Sequence, residues 1–499
     1  HYLARCSAVL QQGRFVGDVL YLLPEGAPSA LSADHGPWRH AVPGVLPAGY
    51  DFTVTDVPAL RERVRVADGR LTLPNGASYR VLVLPTKREM TPAAIRLIGD
   101  LVRAGAVVVG PKPLRSPSLE GWPRADAEVA RLADEIWGDC DGIKVNQRRY
   151  GAGRVLWMPR LADALDACGV APDVSWTGAP IDALDYIHRT ADQTEVYFVT
   201  NRRAERIDVQ ISFRVTGLQP ESWDAETGVR AAAPIFVERD GRVEMPLRLA
   251  PHGSRFVVFR PRQARAPHYR SIANSAGPIA GLEVDHGGTY SLRRSDGAEV
   301  RVVVPEPPAP LKVDGPWQVT FQPSGDRPAF GVTFDSLVSW PLHRDERIRY
   351  FAGTATYRRD VEVPREFLQA AHRVRIDLGA VEVMARVCIN DRDLGVAWKA
   401  PYQLEVAEAL RPGRNRIEIK VTNLWINRLI GDEQAPADVE YRDSGELAAL
   451  PTWWRDGQKR PSPRGSFVFW RHYRRDAPLV PSGLLGPVKL RATAALPPP

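Results

Sequence analysis

The chain has 499 residues, too many for one hydrophobic core and enough for about three domains. With 44% hydrophobic and 25% charged residues it has the balance of a folded chain, not a disordered one, and no apolar run approaches the ~18–20 residues of a membrane helix. Its net charge of +7 comes from arginines scattered in dyads such as Arg293-Arg294 and Arg474-Arg475, whereas a nucleic-acid binder needs a basic stripe on one element.

Tyr2, Leu3, Cys6, Val9 and Leu10 share one face at helical spacing. A helix with a ready-made apolar face and nothing before it points to a domain upstream, so residues 1–14 are assigned to its end. Residues 15–171 alternate strand and helix. Phe15–Leu22, Arg80–Pro85, Ala106–Gly110 and Gly153–Met158 read as buried strands. Asp56 caps a short helix through Val64, and Thr91-Pro92 opens a helix to Arg103, which Gly105 stops. Asp126–Trp137 and Leu161–Cys168 are further helices. Strands buried on both faces and separated by helices imply a parallel sheet with crossover helices, and the order resembles a flavodoxin-like or glutamine-amidotransferase-like domain.

Helices vanish over residues 172–262. Glu195–Thr200, Asp208–Arg214 and Arg255–Phe259 are strands of a small β-sandwich, and Trp223-Asp224-Ala225-Glu226-Thr227-Gly228 is a hairpin turn rather than a metal loop. Residues 263–310 hold an Arg/Ala/Pro-rich linker with short strands and the joint Pro305–Pro310. Residues 311–495 form a second β module: Val374–Leu378, Val381–Ile389, Tyr402–Val406 and Arg416–Val421 alternate with period two, with turns between them at the spacing an antiparallel sandwich needs. The polar run Thr422–Asp432 is placed on a loop at a strand end, and Phe467–Tyr473 near the module's close.

Chemistry-bearing motifs are sparse. Cys6, Cys140, Cys168 and Cys388 show no Cys-x-x-Cys or Cys/His metal spacing, so no disulfide framework is expected, while a single bridge stays open. No cysteine sits on the strand-to-helix turn an amidotransferase would use, and Cys140 lies between Asp139 and Asp141, which oppose a thiolate. Pro24-Glu25-Gly26-Ala27-Pro28 follows the first strand, where ligands of parallel sheets gather. Its prolines remove backbone donors, leaving Glu25 either a cleft contact or a solvated loop acid.

The remaining signal is aromatic and polar. Neutral sugars offer hydroxyls and a C–H face, and Trp425 with Asn423, Asn427, Arg428 and Asp432 suits them, with Trp470 and His472 joining from another strand. The opposing reading is equally physical: aromatics of a sandwich belong to its core, and Arg–Asp pairs fix polar frameworks.

Gly315-Pro316-Trp317, Thr356-Tyr357-Arg358-Arg359, Ile389–Gly395 and Leu410–Asn415 resemble the galactose-binding-like jelly roll of family 2 glycoside hydrolases. Tyr2–Cys6, Gln11–Tyr21, Asn423–Glu433 and Pro481–Val488 resemble glycoside hydrolase family 106, the α-L-rhamnosidases. The resemblance implies an inverting hydrolase of rhamnose-containing plant oligo- or polysaccharides, secreted or periplasmic. It also implies a catalytic (β/α)₈ barrel upstream, carrying two glutamates and calcium, with no cofactor or metal in these residues. The chain is then the C-terminal, ancillary part, its first helix ending the barrel, with no catalytic residue of its own and no turnover alone. A free-standing carbohydrate-binding or scaffold protein is the alternative. Neither a nucleic acid nor a membrane is expected as partner.

Overall fold

The computed structural model describes residues 1–26, 46–261, 267–274, 277–279, 281–323, 328–369 and 372–499. Ala27 and Pro28 of the turn after the first strand, and 262–266 of the linker, lie outside the described residues. The chain forms two compact units, residues 1–272 with 292–299 and 499, and residues 273–291 with 300–498.

In the first unit, helix Tyr2–Leu10 leads into a sheet whose parallel strands are Val19–Leu22, Phe52–Thr55, Val81–Val83, Val107–Val109 and Gly153–Leu156. Counted along the chain their order is 2-1-3-4-5, with Gln147–Tyr150 antiparallel at the far edge. Alternation divides each central strand between two cores. Leu20, Leu22 and Leu82 face Ile95, Ile98, Val129 and Ile136 of helices Pro92–Arg103 and Ala125–Trp137. Val19, Tyr21, Val81 and Val83 face Leu161 and Leu165 on the other side. The caps form as their residue types dictate: Asp56 accepts from the Ala59 N–H at 2.8 Å and Thr91 from that of Ala94 at 3.3 Å.

Two strands of this sheet escape the sequence reading. Phe52–Thr55 alternates apolar with Thr and is only half-buried along its length, so it lacks the continuous apolar run of an inner strand. Gln147–Tyr150 carries two arginines on an edge.

The small sandwich follows. Six strands, in the order Arg14–Phe15, Leu184–Ala191, Thr194–Asn201, Ser254–Arg260, Gln219–Trp223, Arg230–Ala232, face a four-stranded sheet made by Val174–Thr177, Ile207–Phe213, Arg242–Leu249 and Val237–Arg239. The residues Trp223–Gly228 do form a hairpin turn, with Trp223 opposite Arg230 and the Asp224 carboxylate accepting from the Glu226 and Thr227 N–H groups. Helix Tyr2–Leu10 packs on the face of the larger sheet that points away from the sandwich core, Cys6 against Val196, Phe256 and Val258. Arg5 fastens it by donating to the Ala225 and Glu226 carbonyls.

Through the region read as a linker run the strands Tyr269–Asn274, Glu283–Val284, Gly288–Arg294 and Glu299–Val304.

The second unit sets two antiparallel sheets face to face. The larger has the order Phe330–Phe334, Trp317–Pro323, Gly353–Val363, Gly413–Thr422, Met384–Ile389, Arg392–Ala397. The smaller is built on Lys489–Ala495, His372–Asp377 and Gln403–Glu405. Inward positions at period two (Val319, Phe321, Tyr357, Ile417 and Ile419 against Val374, Ile376 and Leu490) close one core. At its end, buried Trp340 donates through Nε1 to the Tyr357 hydroxyl at 2.6 Å.

Four expectations differ from the structure. Phe15–Leu22 is not one strand: Arg14–Phe15 pairs with Leu184–Ala191 of the sandwich, and Val19–Leu22 joins the parallel sheet. Val381–Ile389 is not one strand: Ala380–Glu382 pairs with Gly483–Gly486, and Met384–Ile389 pairs with Gly413–Thr422. The end of the run Thr422–Asp432 is a helix, Ile426–Asp432, not a loop. Ile426 and Ile430 stand four apart with Gly431 beside them, a helical spacing that the polar residues between them obscure. Phe467–Tyr473 is irregular rather than a strand, tied by single backbone bonds from Leu447 to Phe469 and from Arg471 to Gly445.

Candidate functional site

Within the second unit the polar, aromatic run begins as strand Gly413–Thr422 ends. Asn423 is 8% exposed, and its amide donates to the Phe351 carbonyl and accepts from the Gly353 N–H. Asn427, 1% exposed, donates to the Val480 carbonyl at 2.7 Å and accepts from the Val480 N–H at 2.9 Å. Both amides also reach the Ser482 hydroxyl. The segment leading to strand Gly483–Gly486 is thereby sewn to the turn after Thr422.

Asp432 does the same at the other end of helix Ile426–Asp432. Its carboxylate accepts from the Gly465 N–H (2.8 Å), the Ser466 N–H (2.9 Å), the Ser466 hydroxyl (3.0 Å) and Arg428. Gly431 brings the helix against Tyr350, where a side chain would meet the ring. Of the seven residues singled out here, Asn423, Asn427 and Asp432 have their polar atoms engaged by the protein itself. Arg428 is tied to Asp432, its Nε buried and without a partner.

The other three stand at the surface. Trp425 and Trp470 are 43% and 45% exposed, and the exposed ring of His472 stacks near Trp470, centroids 6.4 Å apart at 28°. Beside helix Ile426–Asp432 lies a small pocket lined by Leu429, Tyr441, Phe467, Arg471, His472 and Tyr473, with Asp432, Glu433 and Arg464 behind them. Trp425 and Trp470 do not line it.

Two ion-pair centres of this lobe carry no motif that marks them. Glu433 receives both Arg464 and Arg471. Asp438 receives Arg460 and the Ser462 hydroxyl, while Arg460 lies over Trp453, 4.9 Å from its centroid. They sit 22 to 38 residues from their partners in sequence.

In the first unit, Glu25 accepts from the Thr91 N–H at 2.8 Å and from its hydroxyl at 2.9 Å. It steadies the cap of helix Pro92–Arg103 at the carboxyl end of the parallel sheet. Cys140 is buried, and burial pushes its thiol up, with the Asp139 and Asp141 charges acting the same way.

A buried charge chain links the α/β part to the sandwich in this unit. Arg214 reaches both oxygens of Asp18 at 3.0 Å and lies 3.6 Å from Asp173. Asp173 accepts from Tyr197 at 3.0 Å and meets His188 Nδ1 at 2.8 Å, and His188 Nε2 meets Glu195 at 2.9 Å. The histidine ring stacks on Tyr197, centroids 3.9 Å apart. Burial disfavours the His188 cation, but Asp173 and Glu195 outweigh it and raise its pKa above the usual imidazole range. Burial likewise opposes ionisation of Asp173, yet His188, Arg214 and the Tyr197 hydroxyl hold its carboxyl below the usual range. With both ring nitrogens engaged by carboxylates and its side chain 5% exposed, His188 is placed as a structural strut.

Among the described residues no three His, Cys, Asp or Glu side chains gather as metal ligands. No helix among them is long and apolar enough to cross a membrane.

Residues 1–235 match the family model described as alpha-L-rhamnosidase. A rhamnosidase from Novosphingobium sp. PP1Y of known structure is 31% identical and superposes with a TM-score of 0.73, over 98% of this chain and 40% of its own. A putative beta-glucuronidase from Formosa agariphila is 26% identical over 98% of this chain and 56% of its length. The chain thus spans about half or less of the relatives it matches.

Proposed function

We propose, from the premise that residues 1–235 belong to the α-L-rhamnosidases of glycoside hydrolase family 106, that this chain is the C-terminal, ancillary part of an inverting enzyme acting on rhamnose-containing plant glycans. One observation carries the proposal: nearly the whole chain aligns within less than half of the rhamnosidase from Novosphingobium. On this reading the opposed carboxylates, roughly 6.5–9.5 Å apart with a water between them, and the calcium belong to the rest of the protein, which is secreted or periplasmic.

The parallel strand order 2-1-3-4-5 supports a flavodoxin-like α/β domain, and the paired antiparallel sheets support a galactose-binding-like jelly roll. Its rim meets the glycan through the exposed faces of Trp425, Trp470 and His472, while Asn423, Asn427, Arg428 and Asp432 fix the backbone beneath. Glu25 contributes as a cap. The commitment of Asp432 and Glu433 to arginine and backbone donors favours a binding role for this surface over bond breaking.

The test is direct. The 499-residue chain, incubated with an aryl α-L-rhamnoside, should release no phenol. Inhibitor-sensitive release would show that these residues are catalytic and would end the ancillary reading.

A further inference from the structure

The pocket beside helix Ile426–Asp432 is uneven in charge. Behind it, Asp432 and Glu433 have side chains only 3% and 9% exposed, each held by hydrogen bonds. In front, the Arg471 guanidinium is 41% exposed and the His472 ring is open to solvent. Three guanidiniums, Arg428, Arg464 and Arg471, meet two carboxylates, Asp432 and Glu433, a surplus of one positive charge. Exposed Arg474 and Arg475 follow at once in the chain and, with exposed Asp476 next to them, add a net positive charge.

The pocket's unengaged atoms agree with its charge. Arg471 lies over the Tyr441 ring, 5.9 Å from the centroid, and uses Nη2 on Glu433. Its Nε and Nη1, the His472 ring nitrogens and the Tyr473 hydroxyl have no hydrogen-bond partner among the described residues. These are donors beside aromatic rings, and a guanidinium fork matches a planar carboxylate better than it matches a lone hydroxyl.

We propose that this pocket binds the anionic group, carboxylate or sulfate ester, of an acidic sugar within a rhamnose-containing glycan, with Arg471 and Tyr473 as its donors. The assignment rests on the reading of this rim as a glycan surface and narrows it to charged glycans.

The experiment titrates the 499-residue chain at low salt with a rhamnosyl-glucuronic acid disaccharide, its carboxyl-reduced counterpart, and rhamnose with and without a 3-sulfate, following bound ligand by NMR. The acidic disaccharide should bind roughly tenfold tighter than its reduced form, about what one charge-assisted hydrogen bond supplies. High salt should erase the difference, because the cations are exposed. Arg471→Gln should reduce the acidic ligand to the affinity of the neutral one, and Tyr473→Phe, which alters no packing volume, should weaken it about threefold. Preference for the sulfated rhamnose instead would identify the ester as the anion and support the same site. Equal binding of acidic and reduced disaccharides would overturn the charge assignment and leave the glycan surface standing. Failure of every sugar to bind would remove both. An acidic preference that survives both substitutions would place the anion elsewhere and overturn the proposal.

Discussion

Replacing Asp173 with Asn keeps the shape of the side chain and removes the charge at the centre of the buried chain in the first unit. Asp173 has its side chain 4% exposed and His188 5%, so solvent cannot replace what is lost. The carboxylate serves Tyr197 at 3.0 Å, His188 at 2.8 Å and Arg214 at 3.6 Å, whereas an amide offers one acceptor and turns a donor toward one of the cations. Removing one partner of a buried pair costs about 3–5 kcal/mol, which raises local opening on the order of a hundred- to several-thousandfold.

Hydrogen exchange of peptides covering Leu184–Ala191 and Ile207–Phe213 reads that opening directly and needs no two-state unfolding of the whole chain. The pH profile supplies the sign. His188 has a folded pKa above its unfolded value of about 6.5, so its contribution is complete below that pH and fades as pH climbs through the folded pKa. Asp173 is shifted downward, so its contribution is present above about pH 3.9 and fades as pH falls through the folded pKa. Protection in the native chain should therefore be greatest between about pH 4 and 6.5. In Asp173→Asn, only Glu195 opposes burial at His188, its pKa drops, and the loss of protection as pH rises above about 6.5 should be smaller than in the native chain. Protection unchanged within a few-fold, with the native slope, would refute the role given to this carboxylate.

Gly431→Ala places a methyl carbon 2.5 Å from Tyr350 Cβ and 2.6 Å from its Cγ; urea denaturation should show a loss of about 1–3 kcal/mol despite alanine's better helix propensity. Glu25→Ala removes both hydrogen bonds to Thr91 and should cost the first unit about 1 kcal/mol, measured by exchange in helix Pro92–Arg103, with no change in glycan binding. Trp425→Ala should leave circular dichroism and melting intact, because the ring is 43% exposed. It should weaken rhamnose-glycan binding by about 1–3 kcal/mol by analogy with base stacking; unfolding instead would assign the ring to the framework.

How far the sequence could be read depended on whether a residue's partner was local. Asp56 and Thr91 cap helices three residues away, and the helix boundaries around them were legible from those residues and the following prolines. Inner strands such as Val81–Val83 and Ile417–Val421 announced themselves through apolar content or strict alternation. Phe52–Thr55 did not, since its alternation runs for only four residues and an edge strand needs no continuous apolar run. The charge chain in the first unit was invisible for a different reason. Asp18 and Arg214 are separated by 196 positions, and no spacing rule connects residues that only the sandwich's docking on the α/β sheet brings together. Asp18 carried a faint signal, an acid directly before an apolar strand, where a buried carboxylate requires a distant cation.

The run Asn423–Asp432 shows why residue type alone could not settle its role. Sugar sites and polar frameworks draw on the same amides, acids and indoles, and the difference lies in which atoms remain unengaged after folding. Asn427 and Asp432 fall on the inner side of a helix whose period is obscured by their own polarity, Asn423 lies in the turn before it, and together they stitch 480–482 and 465–466 to this segment. That stitching makes a neighbouring surface useful. An irregular segment such as Phe467–Tyr473, with so few backbone bonds, would otherwise lose its shape, and a ligand would have to bear the cost of ordering Arg471, His472 and Tyr473. Asp432, bonded to Gly465 and Ser466, fixes the start of that segment in advance. On the proposed reading, framework and binding surface are successive layers of one construction, in which Asp432 fixes the backbone and the neighbouring Glu433 holds the exposed Arg471.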